Sequence, residues 1–202
     1  MHPTSTLICI PDISGFTEFM GEANFELSSK VIPSLLNNII YSNEIGLKVS
    51  EVEGDAVLFY KRGELPTLRN LVGQCRFFYT EFYKQLAVLR RRYSKMEDAV
   101  HIPKMLGLKI ILHYGEEVGL TKVGKHIKLF GEDLIVAHRL LKNDVPVDEY
   151  LLLSDSLVNY YNKEGVIDRE FEWGNLTRHE TDYPQLGKLT YWYIDFRPLI
   201  EN

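Results

Sequence analysis

Residues 7–19 read LICIPDISGFTEF, and this stretch decides the fold. Leu7, Ile8, Cys9 and Ile10 form an apolar run of the kind that makes a buried strand. Pro11 and Asp12 follow, then Ser14-Gly15-Phe16-Thr17 ahead of a new helical pattern. A carboxylate at the exit of a core strand supplies hard oxygen ligands for a cation. A small-residue turn behind it aims backbone N–H groups at an anion. The same letters also spell an ordinary Asp-X-Ser-Gly turn, so their meaning depends on a partner elsewhere in the chain.

The whole chain sets the bounds. Its 202 residues are expected to form one domain over residues 1–202, large enough for a real core. With 45% hydrophobic and 25% charged residues it has the composition of a soluble globular protein. A net charge of −5 argues against nucleic acid as the main partner. Cys9 and Cys75 each sit in an apolar pattern and belong to no Cys/His cluster, so both read as buried reduced thiols. That usage, an N-terminus without a basic or long apolar leader, and no run near ~18 apolar residues make a cytoplasmic protein without a membrane span the expectation.

Along the chain, Asn24 is placed to cap a helix reaching about Asn43, with a kink or late start expected at Pro33. Residues 47–53 and 56–60 form two short strands around Gly54-Asp55, which reads as a hairpin with Asp55 at its tip. Pro66 opens the longest helix, to about Lys95. Its closing Arg90-Arg91-Arg92 reads as cations at the negative helix end rather than a nucleic-acid patch. Residues 94–103 are polar and read as a loop. Residues 106–114 form an apolar strand, turned by Gly115-Glu116-Glu117 before two more strands over 118–123 and 126–130. Gly131-Glu132-Asp133 starts a helix, residues 150–153 a strand, Ser154 caps a short helix, and residues 171–196 close with an antiparallel pair around Gly187-Lys188. The mixed order indicates an α+β sandwich, a mostly antiparallel sheet covered by helices.

The partner that residues 7–19 need is Asp55. If the first strand lies beside the Gly54-Asp55 hairpin, two carboxylates become neighbours across a strand spacing of about 4.8 Å. Ionised carboxylates that close repel unless a cation lies between them. Mg²⁺ or Mn²⁺ is the natural resident, and paired ions of this kind serve phosphoryl and nucleotidyl transfer.

Three stretches together resemble the class III adenylyl/guanylyl cyclase catalytic domain, as a divergent member: DISGFT at residues 12–17, EVEGDA at 51–56, and LFGE at 129–132 ahead of Ala137-His138-Arg139. The strand ending in His113-Tyr114-Gly115 and the strand at 150–154 are similar as well. The resemblance runs in order through most of the chain. It implies a ferredoxin-like α/β sandwich and a head-to-tail homodimer with sites at the interface. It also implies two ions, Mg²⁺ or Mn²⁺, held by Asp12, Asp55 and the backbone carbonyl of Ile13. Ser14, Gly15, Phe16 and Thr17 would cradle phosphates. Arg139 of the second copy would stabilise charge in the transition state, and Lys188 falls near a phosphate-binding lysine. The substrate implied is a purine nucleoside triphosphate, closed to a 3′,5′-cyclic nucleotide with loss of pyrophosphate.

Two features depart from that pattern. Ile135 stands where the family has an asparagine that orients the ribose, and an apolar side chain makes no such hydrogen bond. Glu51 and Lys128 occupy the base-reading positions. They can read guanine, which places GTP ahead of ATP, or they can pair with each other. Three readings therefore stand: an active cyclase, a degenerate cyclase-homology domain that binds nucleotide or metal as a regulatory module, and an α/β domain with a structural aspartate pair.

Overall fold

Strand β1 (Thr4–Ser14) is the axis of the sheet. It pairs antiparallel with β3 (Ala56–Arg62) on one side and β4 (Gly107–Val123) on the other. The computed structural model describes residues 4–100, 102–162 and 170–200. Beyond β3 lies β2 (Lys48–Glu53), and beyond β4 lie β6 (Tyr150–Ser154), β8 (Gly187–Asp195) and β7 (Thr177–Tyr183), in that order. A further strand, β5 (His126–Phe130), pairs with the far half of β4. The β4–β6 pair is parallel and the other described pairs are antiparallel. The fold is α+β, an open and mostly antiparallel eight-stranded sheet with helices on its faces.

The alternation of β1 explains both faces. Leu7, Cys9 and Ile13 point into one cluster with α2 (Phe25–Tyr41), α3 (Leu68–Arg92) and α6 (Asp155–Asn162). Ile8 and Ile10 point into the other, with Ala137 and Leu140 of α5 (Glu132–Leu140). By the same parity Asp12 falls on the α5 face. Along α3 the buried stripe Leu71, Cys75, Phe78, Tyr79, Phe82, Leu86 and Leu89 follows the helical period. Phe78 stacks on Phe59 of β3 with centroids 5.6 Å apart. Each large apolar side chain buried there contributes roughly 1.5–3 kcal/mol.

Several local expectations change. A seven-residue helix, α1 (Phe16–Glu22), follows the Ser14-Gly15 turn before Asn24 caps α2 through Leu27 N–H at 2.9 Å. α2 runs on through Pro33, its buried Leu35, Leu36 and Ile39 holding the second half to the sheet. α3 starts at Leu68 with Thr67 as its cap, so Pro66 precedes the helix instead of lying in its first turn. Residues within 94–103 carry a short 3-10 turn (Glu97–Val100) and the start of α4 (Ile102–Met105). The turn expected at 115–117 is absent, and β4 continues through it. Gly115 serves close approach instead, because a Cβ there would overlap the Asp133 side chain. No described helix is long and apolar enough to cross a membrane.

Candidate functional site

Asp12 and Asp55 meet as the hairpin reading requires. Asp12 pairs in register with Ala56 on β3, and Ile13 N–H donates to the Asp55 carbonyl at 2.9 Å. That bond closes the β2–β3 tip onto the end of β1. Gly15, at φ 74°, turns the chain from β1 into α1. A Cβ at this glycine would overlap the Met105 carbonyl, so the turn requires both the positive φ and the bare backbone. Ser14 Oγ donates to the Asp148 carbonyl at 2.6 Å and pins the turn from outside. Behind it, the half-buried Glu149 carboxylate accepts from Tyr83 Oη at 2.5 Å, Tyr79 Oη at 3.2 Å and Leu108 N–H at 3.2 Å. Burial pushes the Glu149 carboxyl up, and the tyrosine and backbone donors oppose that shift.

The opposite wall is α5. Asp133 at its start accepts from Glu117 N–H at 3.2 Å and lies 3.1 Å from His113 Nε2. The His113 bond holds the Asp133 carboxyl below its usual range. This anchor fixes the helix that carries Ile135, His138 and Arg139. Between the two walls lies a cavity of about 880 Å³, within the size range of small-molecule sites. Asp12, Ile13, Ser14, Gly15, Phe16, Thr17, Asp55, Ile135 and Arg139 all line it. The Arg139 guanidinium has no ion-pair partner among the described residues. Arg139 and the two aspartates share this cavity within one chain, whereas the resemblance supplies the arginine from the second copy.

Glu51, Lys128 and Lys188 do not line that cavity. Lys128 Nζ lies 2.7 Å from Glu51 Oε2, so of the two sequence alternatives the chain adopts the mutual pair. Lys188 stands opposite Asp182 in the β7–β8 hairpin. Several residues lining the cavity escaped the sequence reading, among them Glu53 and Lys109. Lys109 of β4 pairs in register with Asp12, and its Nζ lies 3.5 Å from Asp12 Oδ1. Its signal was a lone lysine inside the apolar strand LGLKIIL.

Asp12 is buried, and that burial pushes its carboxyl up to about 6 from its ordinary 3.8; Lys109 opposes the shift and the charge of Asp55 adds to it. The folded state thus holds this proton to higher pH than the unfolded chain does. Ionised Asp12 destabilises the metal-free fold, and the penalty grows as pH rises from 3.8 to about 6. At full ionisation it amounts to about 3 kcal/mol, with the opposing effect of Lys109 already included. Asp12→Asn is therefore expected to stabilise the metal-free protein by roughly 1–3 kcal/mol at alkaline pH and by little at acid pH. Urea denaturation across the pH range measures this, and a variant less stable than the wild type at alkaline pH would contradict it.

The residues present suit a hard divalent cation. Asp12 and Asp55 offer carboxylate oxygens on one cavity wall, and Asp12 carries a burial penalty that a bound ion would relieve. Lys109 supplies part of that compensation in the metal-free chain.

Solved structures of nucleotide cyclases share this architecture. The chain aligns over 96% of its length with 95% of the adenylyl cyclase CyaB from P. aeruginosa, at TM-score 0.64 and 16% identity. It aligns over 96% of its length with 93% of the guanylyl cyclase Cya2, at TM-score 0.62 and 15% identity. It aligns over 94% of its length with 95% of the guanylate cyclase domain of RhGC from Catenaria anguillulae, solved in complex with GTP, at TM-score 0.56 and 15% identity. At such identities the likeness is one of fold. By sequence, the chain is 31% identical over 123 residues to an uncharacterized protein of Mycobacterium tuberculosis. That match covers 60% of this chain and spans 56% of the relative. The family model described as "Protein of unknown function (DUF2652)" matches residues 32–150, more than half of the chain, and the chain belongs to that family.

Proposed function

We propose that the cavity between β1 and α5 binds the divalent-metal complex of a purine nucleoside triphosphate. The observation that carries this reading is the convergence of Asp12, Asp55 and Arg139, distant in sequence, on one cavity. Asp12 and Asp55 would hold Mg²⁺ or Mn²⁺, as two ions, with the Ile13 carbonyl as a further ligand. When bound, such ions neutralise triphosphate charge and lower the pKa of a bound hydroxyl. The turn at Ser14, Gly15, Phe16 and Thr17 faces the phosphates, its backbone held by the Ser14–Asp148 bond. Arg139 offers its guanidinium to charge developing during attack of the ribose 3′-hydroxyl on the α-phosphorus, with pyrophosphate as leaving group.

Turnover on this scaffold is slow. Ile135 lines the cavity where the resemblance puts a ribose-orienting amide, and losing a positioning group costs about 10²-fold or more. The purine is also weakly read, because Glu51 and Lys128 satisfy each other outside the cavity. These two features favour a second reading, a nucleotide-binding regulatory module of cyclase fold without turnover.

A second copy of the chain is the assembly partner. Phe130 of β5 is 69% exposed and Ile135 of α5 is 53% exposed, and both line one groove. Exposed apolar side chains gathered beside a cavity mark an interface. Phe130→Glu is expected to shift the protein from dimer to monomer in sedimentation velocity while its circular dichroism stays that of the wild type. A wild type that is monomeric at high concentration would contradict this.

Binding is tested by thermal denaturation with GTP or ATP in the presence of Mn²⁺ and then of EDTA. Near-saturating nucleotide contributes about 2.7 kcal/mol at a hundredfold excess over Kd, a rise of roughly 5–10 °C for a chain this size. The rise is expected with Mn²⁺ and lost with EDTA. No rise with either nucleotide would remove the reading.

A further inference from the structure

Beside the aspartate pair, a second set of ligand atoms gathers at the cavity mouth. Glu51 and Glu53 are two apart on β2, so both project to the same side of the strand. α5, anchored by Asp133, brings the His138 imidazole over them. One ligand atom from each of the three lies within 4.8 Å of the others. The Glu53 Oε2 to His138 Nδ1 distance is 4.0 Å.

We propose that Glu51, Glu53 and His138 form a binding site for a zinc-class divalent ion, separate from the Asp12–Asp55 pair. Tetrahedral ligands at about 2.1 Å from Zn²⁺ lie about 3.4 Å from one another. The three side chains reach that spacing by closing about an ångström, within the freedom of partly exposed glutamates. Two carboxylates with one imidazole select Zn²⁺, Co²⁺ or Mn²⁺ over Mg²⁺, which takes oxygen ligands and keeps its waters. Three protein ligands leave a fourth position open toward the cavity, which Glu53 and His138 also line.

Charge balance points the same way. Two glutamates side by side repel, and Lys128 at 2.7 Å from Glu51 compensates one of them. The His138 imidazole lies 4.0 Å from Glu53, whose charge Lys128 also faces. A bound ion would neutralise both carboxylates and tie α5 to β2. None of this depends on the cavity binding nucleotide, so the two readings stand or fall separately.

The test is calorimetric titration of the full chain, stripped with chelator, with zinc chloride and no nucleotide. The wild type is expected to take up zinc with micromolar affinity. His138→Gln and Glu53→Gln are each expected to weaken it at least about tenfold, while Asp55→Asn retains it. Zinc binding that is absent, unchanged in His138→Gln, or lost in Asp55→Asn would overturn the proposal. Circular dichroism of the same samples checks that the variants fold. For the wild type, zinc is expected to shift the imidazole NMR signals of His138 ahead of those of buried His113, and a spectrum in which His138 does not move would also overturn it.

Discussion

Asp55→Asn is expected to abolish the proposed metal-dependent stabilisation by GTP and ATP while leaving the ligand-free fold intact. Asp55 holds the β2–β3 tip to β1 through its backbone carbonyl, which the substitution keeps. Its side chain lies on the cavity wall and is partly exposed. The ligand-free variant should therefore melt within about 0.5 kcal/mol of the wild type, as surface changes usually do. Metal affinity depends steeply on the number of charged ligands. Supporting partners of metal ligands typically cost 10–100-fold when removed, and loss of a ligand itself should reach at least about 100-fold. Titrating Mn²⁺ with nucleotide at fixed concentration against both proteins measures this. A variant that keeps the full thermal shift would mean that triphosphate binds without these carboxylates.

Ile135→Asn is expected to raise the proposed cyclic-nucleotide formation by at least about tenfold. Ile135 is half exposed on α5, so the change opens no cavity, and it costs little more than helix propensity, about 0.5 kcal/mol. What it adds is a pair of hydrogen-bonding groups on the cavity wall opposite Asp12 and Asp55. If orientation of the ribose limits the reaction, a restored amide recovers part of the 10²-fold that misplacement costs. Chromatographic measurement of cyclic GMP and cyclic AMP formed with Mn²⁺ decides it. Equal, measurable rates in variant and wild type would show that another step limits, and no product from either would show that the chain acts as a binding module.

Much of this arrangement was legible in the sequence, for identifiable reasons. The apolar run at residues 7–10 can only be a core strand, and Gly54-Asp55 between two short apolar patterns can only be a tight tip. Placing those two together put Asp12 beside Asp55. The length of β4 was not legible, because Gly115 looks the same whether it makes a turn or admits the Asp133 side chain. Lys109 was missed because its role depends on the β1–β4 register, which periodicity does not give. Helix α1 was missed because seven residues with a glycine N-cap and no side-chain cap carry little pattern. Glu51 and Lys128 were found but left open between base and mutual pairing, since that choice rests on how β5 folds toward β2, a contact between strands far apart in sequence.

The most direct measurement is isothermal titration of GTP into the full chain, once with Mn²⁺ and once with EDTA. Saturable binding in Mn²⁺ and none in EDTA is the expected result, with ATP behaving alike because Glu51 and Lys128 occupy each other. Binding of equal strength in both buffers, or heat in neither, would contradict a metal–triphosphate site at Asp12 and Asp55.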